Sequence, residues 1–209
     1  MSPRGYRSEA RQAASAETRA RILAAARSLL SDERTVTFTV DAVAEKADVA
    51  RMTVYNQFGS KRGLVEALSD DLAARGGIAR LPTAFQAGDA VRGLEILVEV
   101  FVGFWASERL ALRRLRAFSA LDPDLAGSNR DLRRRQAIGV VVDRLAAESG
   151  RSGTADEERA TDLLWVLTGF EACEHLAAVG HSADDVATLV TAAVKRVLGV
   201  PEGRPADAL

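Results

Sequence analysis

The stretch that most limits what this chain can fold into is residues 39 to 62, TVDAVAEKADVARMTVYNQFGSKR, where two short helical patterns flank a tight turn. Val40, Val43, Ala44 and Ala47 recur at helical spacing on one face, with Thr39 in the N-cap position. Asp41 falls in the first turn, where a carboxylate complements the helix dipole. Asp48 and Val49 interrupt the pattern, because Asp is one of the few residues besides Gly that tolerates a left-handed backbone, and Val49 can fill the gap between the two helices. The second helix runs from about Arg51 to Phe58. Val54 and Phe58, four apart, turn inward, leaving Arg51, Met52, Thr53, Tyr55 and Asn56 largely outward. This is the layout of a helix-turn-helix whose second helix enters the major groove of DNA.

The same segment resembles the DNA-binding domain of the TetR family of one-component transcriptional repressors. Tyr55, Phe58, Lys61 and Leu64 fall on that family's Tyr, Phe, Lys, Leu signature at the end of the recognition helix and the start of the next. The likeness in motif covers residues 18 to 72; beyond it only length and helical layout agree. Two positions depart from the family pattern: Asp48 stands where Gly is usual in the turn, and Ala50 where Ser caps the recognition helix. The missing cap hydrogen bond costs about 1 kcal/mol and leaves the start of that helix less defined. The resemblance implies an all-α fold, with an N-terminal three-helix helix-turn-helix DNA-binding domain and a C-terminal helical ligand-binding and dimerisation domain. It also implies a homodimer that pairs the last two long helices of each copy into a four-helix bundle. Two-fold symmetry then matches a palindromic double-stranded operator with half-sites about 34 to 36 Å apart or a multiple of that.

Side-chain chemistry divides the exposed residues into two groups. Arg51 can make a bidentate contact to a guanine edge, Thr53 can donate or accept, and Met52 can pack on a thymine methyl, so these three are the candidates for base readout. Thr39, Tyr55, Asn56 and Lys61 suit phosphate: a hydroxyl at a helix N-terminus, a hydroxyl on a rigid ring, an amide and a mobile point charge. Plainer readings stand beside these, with Tyr55 as packing, Thr39 as a cap alone and Arg51 as a solvated charge. The surrounding motif favours DNA.

Formal charge has the matching asymmetry. Residues 1 to 62 hold 11 Lys and Arg against 7 Asp and Glu, whereas the rest holds 17 against 22, so a total of −1 conceals a basic N-terminal part. Cations held near phosphates gain affinity by releasing condensed counterions.

The chain divides by pattern into a basic arm (1–15), a helix-turn-helix domain (16–62), a connecting helix (63–77), a helical regulatory and dimerisation domain (78–200) and a tail (201–209). The arm carries Pro3, Gly5, Arg4, Arg7 and Arg11, and reads either as a flexible segment that reaches the minor groove or phosphates, or as a loose terminus. Ile22, Ala25, Ala26 and Leu29 make the first amphipathic helix, from Glu17 to Leu30, which completes a trihelical core with Phe38. Ser60 is placed to cap the helix starting at Lys61, and Gly76-Gly77 ends it. A linker over 78 to 88 contains Pro82 and Gly88, and helical patterns fill the remainder. These include Leu110 to Phe118, ended by Asp122-Pro123, and 129 to 149, capped by Ser128. Thr154 with Glu157, and Ser182 with Asp185, have capping-box spacing at the starts of the last two helices. Leu163, Leu164, Val166, Leu167 and Phe170 on one, and Val186, Leu189, Val190, Ala193, Val194 and Val197 on the other, make apolar faces wide enough to call for a second copy.

Phe101, Trp105, Phe118, Trp165 and Phe170 are the candidates for a pocket that takes a small apolar effector, with plain core packing as the alternative. Glu171 and His175 lie four apart on one helical face, but two ligands do not make a metal site, and no cofactor is expected. The lone Cys173 excludes an intrachain disulfide and reads as a small buried hydrophobe. No Ser-His-acid grouping or phosphate-cradling glycine loop suggests an enzyme. The competing non-enzymatic reading is a helical protein-binding adaptor that does not bind DNA. No apolar run reaches the ~20 residues needed to span a bilayer, and MSPRGYRSEARQ lacks the core of a signal peptide, so a cytoplasmic location is expected.

Overall fold

Apolar residues recur every three or four positions through most of the chain, and the computed structural model, which describes residues 3–35, 37–122, 130–150 and 155–200, turns that periodicity into helices. Among the described residues there are eleven α-helices and no strand. In order they are α1 (Pro3–Ser31), α2 (Val40–Lys46), α3 (Arg51–Phe58), α4 (Lys61–Arg75), α5 (Leu81–Phe85), α6 (Ala90–Ser107), α7 (Arg109–Leu121), α8 (Arg130–Glu148), α9 (Ala155–Leu167), α10 (Phe170–Ala178) and α11 (Ala183–Val197). They form two compact units, one from Met1–Leu72 with Glu108–Gly127, the other from Ala73–Ser107 with Ser128–Leu209.

The first unit is built on the inner faces of α1 to α4. Ile22, Ala26, Leu30, Phe38, Val43, Val54, Leu64 and Leu68 are buried there. Arg27 on α1 reaches Asp71 on α4 at 3.0 Å. The trihelical core expected from the sequence gains a distant helix, α7, which packs on α1 and buries Ala111, Leu112 and Leu115. Two further contacts fasten it. Phe118 stacks on Phe38 with ring centroids 6.1 Å apart, and Arg114 donates to the carbonyls of Glu33 (3.1 Å) and Thr35. Residues 3–15, read above as part of a flexible arm, instead continue α1 toward its N-terminus.

The second unit centres on α6, which packs against α5, α8, α10 and α11 and is apolar on most of its circumference. Leu94, Leu97, Val98 and Phe101 meet Ile138, Val142 and Leu145 of α8, Leu164 of α9 and Val186, Val190 and Val194 of α11. The stretch 78–88, read as a linker, is largely helical: a short 3-10 turn over Ile78–Arg80 leads into α5. Pro82 starts that helix rather than breaking it, because a fixed φ and a missing N–H cost nothing in a first turn. At Ser182 the expected capping box forms in full, the hydroxyl accepting from Asp185 N at 3.1 Å and the carboxylate accepting from Ser182 N at 2.9 Å. The caps read at Ser128 and Thr154, and the tail 201–209, lie outside the described residues.

One expected run is divided. The pattern reads continuously from Leu163 through Phe170, but the helix stops at Leu167 and α10 starts at Phe170. Gly169 is extended (φ −75°, ψ 156°), and a Cβ there would come within 3.0 Å of the Val166 carbonyl. Carbonyls freed by the break take side-chain donors from other helices. Trp105 Nε1 donates to Thr168 O at 2.7 Å, and Arg134 Nη1 to Trp165 O at 2.6 Å.

Two measurements check these assignments. Phe118→Ala should destabilise the first unit by about 2 kcal/mol although it lies far along the chain from the helix-turn-helix, read as a lowered urea midpoint. An unchanged midpoint would contradict α7's place in that core. Cys173 is buried, and desolvation pushes its thiol up to about 11, so at pH 8 almost none is thiolate. Alkylating reagents should therefore label it at pH 8 only after denaturation.

Candidate nucleic-acid interface

The interface begins with the turn between α2 and α3. Thr39 Oγ1 accepts from Ala42 N at 3.1 Å and caps α2, while Asp41 stands in the first turn. At the other end Val49 N donates to Ala44 O (3.0 Å) and Asp48 N to Glu45 O (3.1 Å), the paired bonds of a Schellman motif. That motif requires a left-handed residue, and Asp48 adopts φ 52°. The chain therefore leaves α2 at a sharp angle, and α3 starts at Arg51 after an extended Ala50 that offers no side-chain cap. Val54 is buried and Phe58 half-buried, which fixes the rotation of α3 about its axis.

The opposite face of α3 is turned to solvent. Met52 is 63% exposed, Arg51 and Asn56 are exposed, and Thr53 and Tyr55 are half-buried. An exposed methionine of that size has no packing role in the head and is free to meet an apolar group. Arg51 is held rather than loose: Nη1 donates to Asp41 Oδ2 at 3.0 Å, and Nη2 to the Tyr55 hydroxyl at 3.3 Å. Its guanidinium also lies 5.6 Å from the Tyr55 ring centroid. Both bonds are exposed, so exchanging the carboxylate for a base edge costs only about 0 to 1 kcal/mol. The Tyr55 and Thr39 hydroxyl oxygens accept from Arg51 Nη2 and Ala42 N respectively, which leaves the O–H of each able to donate.

Lys61 is differently situated. It opens α4, and its Nζ pairs with Asp122 Oδ2 from the end of α7, the two side chains being 32% and 21% exposed. Ser60 Oγ caps α4 by accepting from Gly63 N at 3.0 Å. Gly63 is required there, since a Cβ at that position would overlap the Phe58 carbonyl oxygen. The C-terminal end of α3 is clamped by α1. Arg19 donates to Gln57 O at 2.9 Å and lies 4.3 Å over the Phe58 ring, and Gln57 Nε2 donates to Ser15 Oγ at 3.0 Å. Sequence reasoning reads Asp41 only as a dipole partner and Asp122 only as a helix stop, and it passes over Gly63 and Arg19. Gly63 alone left a further signal, a glycine in the first turn of a helix; the other roles depend on which elements meet.

Of the five aromatics proposed for a pocket, four lie in the second unit. Trp105 meets Phe170 edge to face with centroids 5.7 Å apart, and Arg134 stands 5.6 Å from the Trp165 ring and 5.9 Å from Phe101. Phe118 belongs to the first unit, stacked on Phe38, and is withdrawn from the set. Trp105 has an acceptor for its indole N–H, whereas the buried Nε1 of Trp165 has none among the described residues. A separate groove of about 640 Å³ between α8 and α9 is lined by polar side chains, Arg135, Gln136, Asp143, Glu157, Glu158 and Thr161 among them, and by none of the four aromatics. Among the described residues no three His, Cys, Asp or Glu side chains gather as a metal site would need.

A trihelical head whose third helix follows a Schellman turn and faces solvent on one side has the layout of a helix-turn-helix. Residues 22–68 match the model for bacterial regulatory proteins of the tetR family. Over most of the chain the fold is that of TetR-like transcriptional regulators. One from Rhodococcus sp. RHA1 superposes with a TM-score of 0.64 at 23% identity, over 87% of this chain and 96% of the other. The TetR family transcriptional regulator PfmR from Thermus thermophilus does so at 0.59 and 18% identity, over 87% and 99%. No curated protein matches the sequence. Residues 22–68 thus match the tetR-family model, and the chain as a whole has the fold of TetR-like regulators.

The uncapped start of α3 can be repaired. Ala50 already has the extended backbone of an N-cap, so Ala50→Ser should stabilise the protein by about 1 kcal/mol in urea unfolding. No gain would mean that the first turn of α3 is already satisfied by other means.

Proposed function

We propose that the protein is a sequence-specific DNA-binding transcriptional regulator of the cytoplasm, a repressor that holds a palindromic operator as a homodimer and leaves it when a small molecule binds. The observation that carries the DNA-binding part is the exposed face of α3. On this reading Arg51, Met52 and Thr53 are the base-reading groups, and Thr39, Tyr55, Asn56 and Lys61 the phosphate contacts. Asp41 and Tyr55 restrain Arg51, so less side-chain entropy is lost when it docks on a guanine.

Dimerisation is supported by apolar side chains left in solvent on the last helices. Val166 on α9 is 57% exposed and Leu189 on α11 is 47% exposed, apolar surface that a second copy would cover. Effector control is supported by the grouping of Phe101, Trp105, Trp165 and Phe170. Entry of a small, mainly apolar molecule bearing one hydrogen-bond acceptor would satisfy the Trp165 Nε1, which lacks a partner among the described residues. Such a ligand regulates only if it binds one of two conformations better, the conformations differing in the spacing of the two recognition helices.

A mutational contrast tests the reading. Arg51→Ala should flatten preference at one base pair per half-site by about 1 to 3 kcal/mol, while Lys61→Ala should weaken all sequences alike and lower the salt slope. The operator comes from selection of random duplexes by the purified protein, which also yields half-site spacing. Wild-type binding of a selected operator by both variants would remove the assignment. An affinity that ignores salt would favour the protein-binding adaptor instead.

A further inference from the structure

We infer that Asp122 is an internal competitor for DNA phosphate, which occupies Lys61 in the free protein and must be displaced for that lysine to contact the duplex. The inference rests on the reading of Lys61 as a phosphate contact. It goes further in assigning α7 a control function in the head.

Three observations lead there. First, the Lys61 ammonium donates directly to an Asp122 carboxylate oxygen, an anionic acceptor of the same kind as a phosphate oxygen. Second, Asp122 is positioned, not adrift. It terminates α7 with an extended backbone, and α7 is locked to the head by the Phe118–Phe38 stack and the Arg114 bonds to the α1–α2 connection. Third, both partners are only partly exposed, so water screens this pair less than it screens Arg51 and Asp41, which are 57% and 63% exposed. A lysine neutralised by a neighbouring carboxylate releases little condensed counterion when DNA arrives. In this state Lys61 therefore contributes less than a full cation to duplex binding, because Asp122 must first be displaced.

Anisotropy titration of a labelled random-sequence duplex across about 50 to 200 mM salt tests the inference with wild type, Asp122→Asn, Lys61→Ala and the double variant. Freeing Lys61 should raise affinity for the duplex about fivefold at the low-salt end and steepen the log–log salt slope by part of the about 0.9 that one fully available cation contributes. In the Lys61→Ala background the same Asp122→Asn change should add much less and leave the slope alone. Equal gains in both backgrounds would mean that Asp122 acts only as a repelling charge, and no gain in the wild-type background would mean that Lys61 is already available; either overturns the inference. A wild-type protein without salt-dependent duplex binding overturns the DNA-binding reading itself. If Asp122→Asn melts early by circular dichroism, acylation of wild-type lysines, mapped by mass spectrometry, decides the matter. Lys61 should react more slowly than the exposed Lys46 in free protein and catch up at high salt, and equal rates at low salt would refute the pairing.

Discussion

The head depends on one backbone constraint, the left-handed turn at Asp48. Without it α2 would run on, and the inner and outer faces of α3 would not be sorted into core and surface. The two Schellman bonds repay part of the cost of placing a non-glycine residue there, and the burial of Val54 holds the result. The tolerance of Asp for that region explains how the family turn survives without its usual glycine.

Much of this was legible in the chain because the signals are local. The caps at Thr39, Ser60 and Ser182 need only a hydroxyl and an amide three residues on, and each forms as its spacing suggests. The alternation that put Val54 inside and Met52 outside is a property of a single helix. What periodicity cannot give is which helices meet. Phe118 shares its aromatic character with Trp105 and Phe170, and nothing near it in sequence separates a head residue from a pocket residue. Only the path of α7 does. The Lys61–Asp122 pair spans 61 positions and is invisible for the same reason.

The division of α9 from α10 illustrates the opposite error, a pattern read as continuous because both halves face the same core. Gly169 was the available cue, yet a single glycine in a helical pattern is often absorbed at a cost of about 1 kcal/mol. Here the loss is offset elsewhere, by Trp105 and Arg134, whose donors take over acceptors the backbone no longer serves. These two side chains, from α6 and α8, thereby bind the interruption to the same aromatic group that forms the candidate effector site.

The route of α7 has an evolutionary corollary. A reader head made of one continuous N-terminal piece could be traded between proteins at a single junction, leaving the sensing part to evolve alone. This one draws α7 back into the head after α5 and α6 have been laid down in the other unit. Recombination at one crossover would strand Phe38 and the α1–α2 connection without Phe118 and Arg114. In such an arrangement the exposed face of α3 changes more readily by substitution, residue by residue, than by exchange of the whole head.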